Sequence, residues 1–250
     1  MSDMPPPPPS FNPPPGYVPY GSSSVQGGFR RIGGLTKWLV VLLIATAVAQ
    51  VITILVQWGL RGAAADYLAN PEVVDFKGKL GVYVAAAALA GLLAVAQLVV
   101  LVIWTFRMAK NLQVLGRVPQ AFAPGVTIAI NILGSCTLGV LPYFMWREIW
   151  RGSDPTTLPN DPTWKQKAYG TILNIHLGLV LAGAVVGFAV GSASGVSNFK
   201  SGSTADLAKN LHDKFGVVAA AGLIQVAAVL VFVSVARQLA ARHMQSTLEA

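Results

Sequence analysis

The chain has 250 residues, of which 54% are hydrophobic and only 11% charged. A soluble domain carries about 25% charged residues, so less than half the usual charge is present to solvate a surface. The 18 Lys and Arg and 10 Asp and Glu are also clustered between long uncharged runs. This excludes an ordinary water-soluble globule and points to an all-α integral membrane protein. The single Cys136 excludes an intramolecular disulfide and a cysteine-based metal site.

Residues 1–37 read as a Pro/Gly/Ser-rich tail. Pro5 to Pro9 and Pro13 to Pro15 supply eight prolines, followed by Gly16, Ser22 to Ser24, Gly27 and Gly28. Proline lacks an amide donor, and Gly and Ser offer no apolar face, so a disordered, polyproline-like tail is expected. Pro14-Pro15-Gly16-Tyr17 fits the PPxY pattern read by WW domains, although a low-complexity tail produces such a match readily. No apolar core follows a charged start, so the tail is not read as a signal peptide.

Five apolar stretches follow, at 38–58, 82–106, 126–146, 168–190 and 217–236. About 20 apolar residues cross the hydrocarbon core, and none of these stretches contains Asp, Glu, Lys or Arg. The third differs from the rest. Asn131, Gly134, Ser135, Cys136, Thr137, Gly139 and Pro142 crowd its middle, which predicts a broken backbone, tolerated at membrane depth only where protein or water satisfies it.

Charge tests whether it crosses. With five full spans, Lys and Arg divide nine to nine. If the third stretch enters and leaves on one side, the seven cations of residues 107–167 join three before the first span and two after the last, giving twelve against six. The positive-inside rule favours the second arrangement. The fold expected is therefore four transmembrane helices plus a broken re-entrant or interfacial segment, with five full spans as the alternative. The membrane domain covers 38–240, a short C-terminal tail covers 241–250, and both termini lie in the cytoplasm of a cell with this multi-pass protein in its membrane. An internal echo supports two related hairpins around the broken segment: Lys79-Leu80-Gly81-Val82 and Lys214-Phe215-Gly216-Val217 each lead into an alanine cluster.

Gly183, Gly187 and Gly191 recur every four residues on the fourth span, and Ala86, Ala90 and Ala94 on the second. Small residues at this spacing permit close helix packing, within the chain or between copies. Gln50, Gln97 and Gln225 sit mid-span and are expected to face the bundle interior. With Asn131, Asn174 and His176 they form a candidate intramembrane polar network, either an interhelical adhesive or a path for a small solute. Arg107, Lys110, Arg147 and Arg151 stand beside aromatic residues and are candidate lipid-headgroup contacts. No nucleophile–base pair, cofactor-binding loop or metal-ligand cluster is expected.

These residues carry a resemblance. Arg107, Asn111 and Leu112, then Ala123-Pro124-Gly125, then the run Arg147-Glu148-Ile149-Trp150-Arg151 with Ser153 are similar to a bacterial multi-pass membrane family, domain of unknown function 4328. The likeness covers roughly residues 38–240. It departs at Gly134-Ser135-Cys136-Thr137-Leu138-Gly139, where the family has a different, Trp-rich middle. It implies an architecture and a membrane location, and no reaction.

The expected function is a non-enzymatic membrane scaffold or interaction protein. A small transporter or channel-like protein using 126–146 is the alternative. A membrane enzyme acting on lipid headgroups through Arg107, Arg147, Glu148 and His176 ranks last. The expected partners are the lipid bilayer, further copies of the chain and a cytoplasmic protein bound by the tail; nucleic acid and cofactors are not among them.

Overall fold

The computed structural model describes residues 28–71, 76–194 and 203–249; the PPxY match in the tail lies outside the described residues. Within them the chain folds into helices α1 (Gly33–Ala69), α2 (Phe76–Val114), α3 (Pro124–Leu133), α4 (Val140–Gly152), α5 (Ile172–Ser194) and α6 (Thr204–Thr247). Single-turn 3-10 segments lie at Gly134–Thr137 and Pro162–Gln166. No strand forms among the described residues.

Helices α1, α2 and α6 are 37, 39 and 44 residues long, and each is apolar enough to cross a membrane. At 1.5 Å per residue they measure about 55–65 Å, roughly twice the hydrocarbon thickness. In the most apolar 18-residue stretch of α2 no residue is buried. Val82, Leu89, Leu92, Val95 and Val99 stand exposed there, an apolar surface that suits lipid and not water. These are the features of a membrane protein. The described apolar part of α5 is shorter, Ile172–Phe188.

The long helices pack antiparallel. Trp104 Nε1 donates to Thr36 Oγ1 at 2.9 Å at one end of the α1–α2 pair, and Tyr67 stacks on Phe76 at the other, with ring centroids 5.2 Å apart. Trp58 meets Phe215 at 5.8 Å, fixing α1 against α6. The His176 ring nitrogen Nδ1 lies 3.2 Å from the Ala228 carbonyl, fixing α5 against α6. The start of α1 and the end of α6 therefore share one end of the bundle, called proximal below. At the distal end Leu60, Ala63 and Ala64 of α1, Phe76 of α2 and Ala208 of α6 make a small second core. The segments around Asp66 and Asp206 are continuous with these long helices.

Two boundaries differ from the sequence reading. The packed unit begins before Trp38, since Ile32 and Thr36 are already buried. Residues 241–247 are not a tail but the last turns of α6, because Leu239, Ala240, His243 and Thr247 continue its buried face at helical spacing.

The third stretch is broken where expected. Leu138 and Gly139 both have positive φ, 50° and 79°. The Gly134 carbonyl accepts from the Gly139 amide at 3.2 Å and from Thr137 Oγ1 at 3.0 Å, so the turn satisfies its own backbone. Helices of 10 and 13 residues on either side reach only about 15 and 20 Å, and both outer ends are proximal. The Ala121 amide donates to Glu148 Oε1 at 2.8 Å, and Gly152 packs on Leu112. The tip reaches Val180, two turns into α5.

At Gly139 a Cβ would sit 2.7 Å from the Val180 side chain, on a left-handed backbone. Gly139→Ala is expected to lower unfolding free energy by about 1–3 kcal/mol. Gly187→Ala, with nothing within 4 Å, is expected to leave the melting point unchanged or raise it. Thermal melts of both variants in detergent check the pair.

Candidate functional site

Polar side chains converge at the proximal end. Ser153, just past α4, places Oγ 2.8 Å from His243 Nδ1 on α6. His243 Nε2 lies 3.0 Å from Asn111 Nδ2, one turn from the end of α2. Asn111 also pairs with the Arg30 backbone: its Oδ1 accepts from the Arg30 amide at 2.8 Å, and its Nδ2 donates to the Arg30 carbonyl at 2.9 Å. All three side chains are buried, none more than 1% exposed.

The Arg30 pairing fixes the orientation of the Asn111 amide, and with it the tautomer of His243. Nδ2 is a donor, so Nε2 of His243 accepts and the ring proton sits on Nδ1, which donates to Ser153 Oγ. A histidine that activates serine must present an unprotonated nitrogen to the hydroxyl. Here the facing nitrogen carries the proton. The arrangement ties three helices and the strand of chain before α1 together, and it does not prepare a nucleophile.

Arg117 works beside it. Its side chain is wholly buried and donates to the carbonyls of Gly152 (3.2 Å), Thr157 (2.7 Å) and Leu158, pinning the loop after α4. Glu249 reaches from beyond α6 to the first turn of α1, where its carboxylate accepts from the amides of Ile32 (3.0 Å) and Gly33 (2.9 Å). These are amides a helix start leaves unpaired, in a field that favours negative charge. Burial pushes the Glu148 carboxyl up, while the amides of Ala121 and Phe122 and the charge of Lys165 pull it back.

The residues singled out from sequence do not form one site. Arg107 donates to the Arg31 carbonyl at 2.9 Å, and Lys110 is exposed. Arg147 and Arg151 lie together over the Tyr169 ring, at 5.0 and 5.2 Å. The six polar span residues are scattered, which corrects the expectation of a network. Asn131 donates to Thr105 Oγ1 and the Thr127 carbonyl, both at 2.8 Å. Asn174 accepts from Tyr143 at 2.7 Å. Gln50 lies against Gly222, Gln97 has its Oε1 enclosed with no hydrogen-bond partner among the described residues, and Gln225 faces outward. Among the described residues no hydrogen bond joins these glutamines. Gly183 packs near Ile224 of α6, Gly187 is open, and the surroundings of Gly191 lie outside the described residues.

His243, Arg117 and Glu249 escaped the sequence reading because it sought polar residues inside apolar runs. The usable signal was phase: Phe232, Ala236, Leu239 and His243 recur at helical spacing, so the buried face outlasts the apolar stretch.

Comparison with protein-family models, curated proteins and solved structures finds no match for the chain.

His243 lies seven residues beyond the apolar stretch 217–236, and burial pushes its pKa down to about 3 from 6.5. The unfolded chain takes up a proton that the folded chain refuses, so this contribution is whole above pH 6.5 and declines as pH falls toward 3. At pH 5 the loss is about 2 kcal/mol at roughly 1.4 kcal/mol per pH unit. His243→Gln should therefore melt with a shallower dependence on pH between 7.5 and 5 than the parent chain. Parallel slopes for the two proteins would refute the assignment.

Proposed function

We propose that this chain is a non-enzymatic scaffold of the cell membrane. It crosses four times, with α1, α2, α5 and α6, and carries α3–α4 as a re-entrant hairpin on the cytoplasmic side, where both termini lie. The observation that carries the reading is the buried polar plate at the proximal end. Asn111, Arg117, Ser153, His243 and Glu249 fasten five chain segments together, and the Pro-rich tail leaves from its rim at Arg30. A tail that recruits a partner needs such a rigid mount.

Further support comes from how the reactive-looking groups are engaged. Glu148 accepts from the Ala121 amide, His176 lies against the Ala228 carbonyl, and the proton on His243 faces Ser153. A lipid-headgroup enzyme would need Glu148 and His176 to converge with the arginines, and a transport path would need Asn131 to line it together with Gln50 and Gln97. Their bonds and positions favour the scaffold. Gly187, where an added Cβ would meet nothing within 4 Å, is the point on α5 at which copies would approach in self-association.

Kinship with the family of domain of unknown function 4328 belongs to the same proposal. It is supported by the meeting of its three motif segments at one end of the bundle: Asn111 and Ser153 join through His243, and Ala123 starts α3 beside them. The twelve-to-six division of cations also fits a hairpin with both ends proximal.

Labelling with a membrane-impermeant maleimide tests the topology. In a Cys136→Ser background, Leu158→Cys is expected to react only from the cytoplasmic side and Asn70→Cys only from the opposite side. Both residues are exposed. Reaction of position 158 from outside the cell would reject the four-span arrangement.

A further inference from the structure

We propose that Arg147, Arg151, Tyr169 and Asn174 bind the phosphate of one anionic phospholipid at the proximal membrane surface. The inference rests on the membrane reading above and narrows it to one ligand class. Arg147 and Arg151 stand one turn apart on α4, and both guanidinium groups lie over the ring of Tyr169, at 5.0 and 5.2 Å from its centroid. Two like charges on one ring repel each other, and among the described residues neither has a carboxylate within ion-pair distance; the ion pair formed nearby is Arg242 with Asp154, at 3.1 Å. The nearest acid along α4, Glu148, faces the other way, onto the Ala121 amide. Arg151 Nε is enclosed with no hydrogen-bond partner among the described residues. An oxyanion seated between the two forks supplies the missing charge and an acceptor for Arg151.

Polar neighbours complete the cradle. The Tyr143 and Tyr169 hydroxyls are 3.2 Å apart, and Tyr143 donates to Asn174 Oδ1 at 2.7 Å. That bond turns the Asn174 amide nitrogen toward the Tyr169 hydroxyl, to which it donates, and leaves its second proton for a ligand on an exposed side chain.

What selects a lipid over a free anion is the level at which the cradle stands. Tyr169 comes three residues before the apolar helix α5 begins. Farther toward the bundle middle along α4 and α5, Leu141, Phe144 and Ile175 are 42%, 43% and 57% exposed. A phosphate held by the arginines thus has an apolar wall beneath it for its acyl chains. Arg107 has no such setting: its Nη1 is engaged with the Arg31 carbonyl.

The test is native mass spectrometry of the full chain in detergent, titrated with phosphatidylglycerol or phosphatidylcholine. The parent chain is expected to retain one phosphatidylglycerol in preference to phosphatidylcholine. Arg147→Gln with Arg151→Gln should reduce that retention roughly tenfold or more, at about 1 kcal/mol per cation near the surface. Arg107→Gln should leave it unchanged, and millimolar inorganic phosphate should not displace the lipid. Should the double variant fold poorly, the single Arg151→Lys, which keeps charge and loses the fork, should still weaken retention severalfold. Equal retention by the parent and Arg151→Lys, an equal loss in Arg107→Gln, or displacement by inorganic phosphate would each overturn the proposal. Membrane topology measured by the maleimide assay is independent of all three, so a correct topology with no lipid preference removes this inference and leaves the scaffold standing.

Discussion

A hydrogen-bonding group taken out of water must meet a partner inside the protein, and at the proximal end that constraint acts on five chain segments together. Each unmet group costs about 1–3 kcal/mol, so the arrangement holds only when every member is in place. Asn111 shows why. Its amide occupies both backbone groups of Arg30 and still has a proton for His243, which is close to the full capacity of an amide. Leucine or alanine at that position would strand the Arg30 amide and carbonyl, the His243 nitrogen and, through the tautomer, the bond to Ser153. Buried chains of this kind are strongly coupled, and their members act as a unit.

The same constraint shapes the broken segment. Lipid offers no donor or acceptor, so irregular backbone at membrane depth has to close on itself or on neighbouring protein. The turn between α3 and α4 does the first through the Gly134 carbonyl, which takes up both the Gly139 amide and the Thr137 hydroxyl. It does the second by pressing Gly139 onto Val180. Glycine is required twice here for different reasons. At 139 the backbone is left-handed, and at 134 a Cβ would sit 2.8 Å from the Pro142 ring. Pro142 is harmless in this place because it stands in the first turn of α4, where its missing amide would have had no helical partner.

The helices and the break were legible in the sequence because each leaves a composition trace: charge-free runs of membrane length, and a cluster of Gly, Ser, Thr and Pro inside one of them. The ends of the packed unit were harder to read. Residues 29–37 and 241–249 contain Arg30, Arg31, Lys37, Arg242, His243 and Glu249, and local charge argues for solvent. What packs the two segments, with Ile32, Thr36, His243 and Thr247 buried, is their joint meeting across more than two hundred residues of sequence, as when Glu249 accepts from the amides of Ile32 and Gly33. Neither segment alone reveals that partner. The glutamines misled for the converse reason. A polar residue in an apolar run is conspicuous in sequence, but helical phase decides where it points, and Gln225 is carried to the outer face of α6.

The break decides which end of the bundle the end of α4 reaches. An unbroken helix from Pro124 to Gly152 would be about 43 Å long, more than enough to cross a bilayer. It would have carried Arg147 and Arg151 to the distal side, with Glu148 far from the Ala121 amide and Ser153 far from His243. Folding back at Gly134 and Gly139 returns α4 to the end from which α3 departed. That return lets Gly152 rest on Leu112, brings the loop after α4 within reach of Arg117, and places Ser153 against the last turns of α6. The polar plate therefore depends on a turn about 20 Å away, since only a hairpin can bring the end of α4 back to meet it.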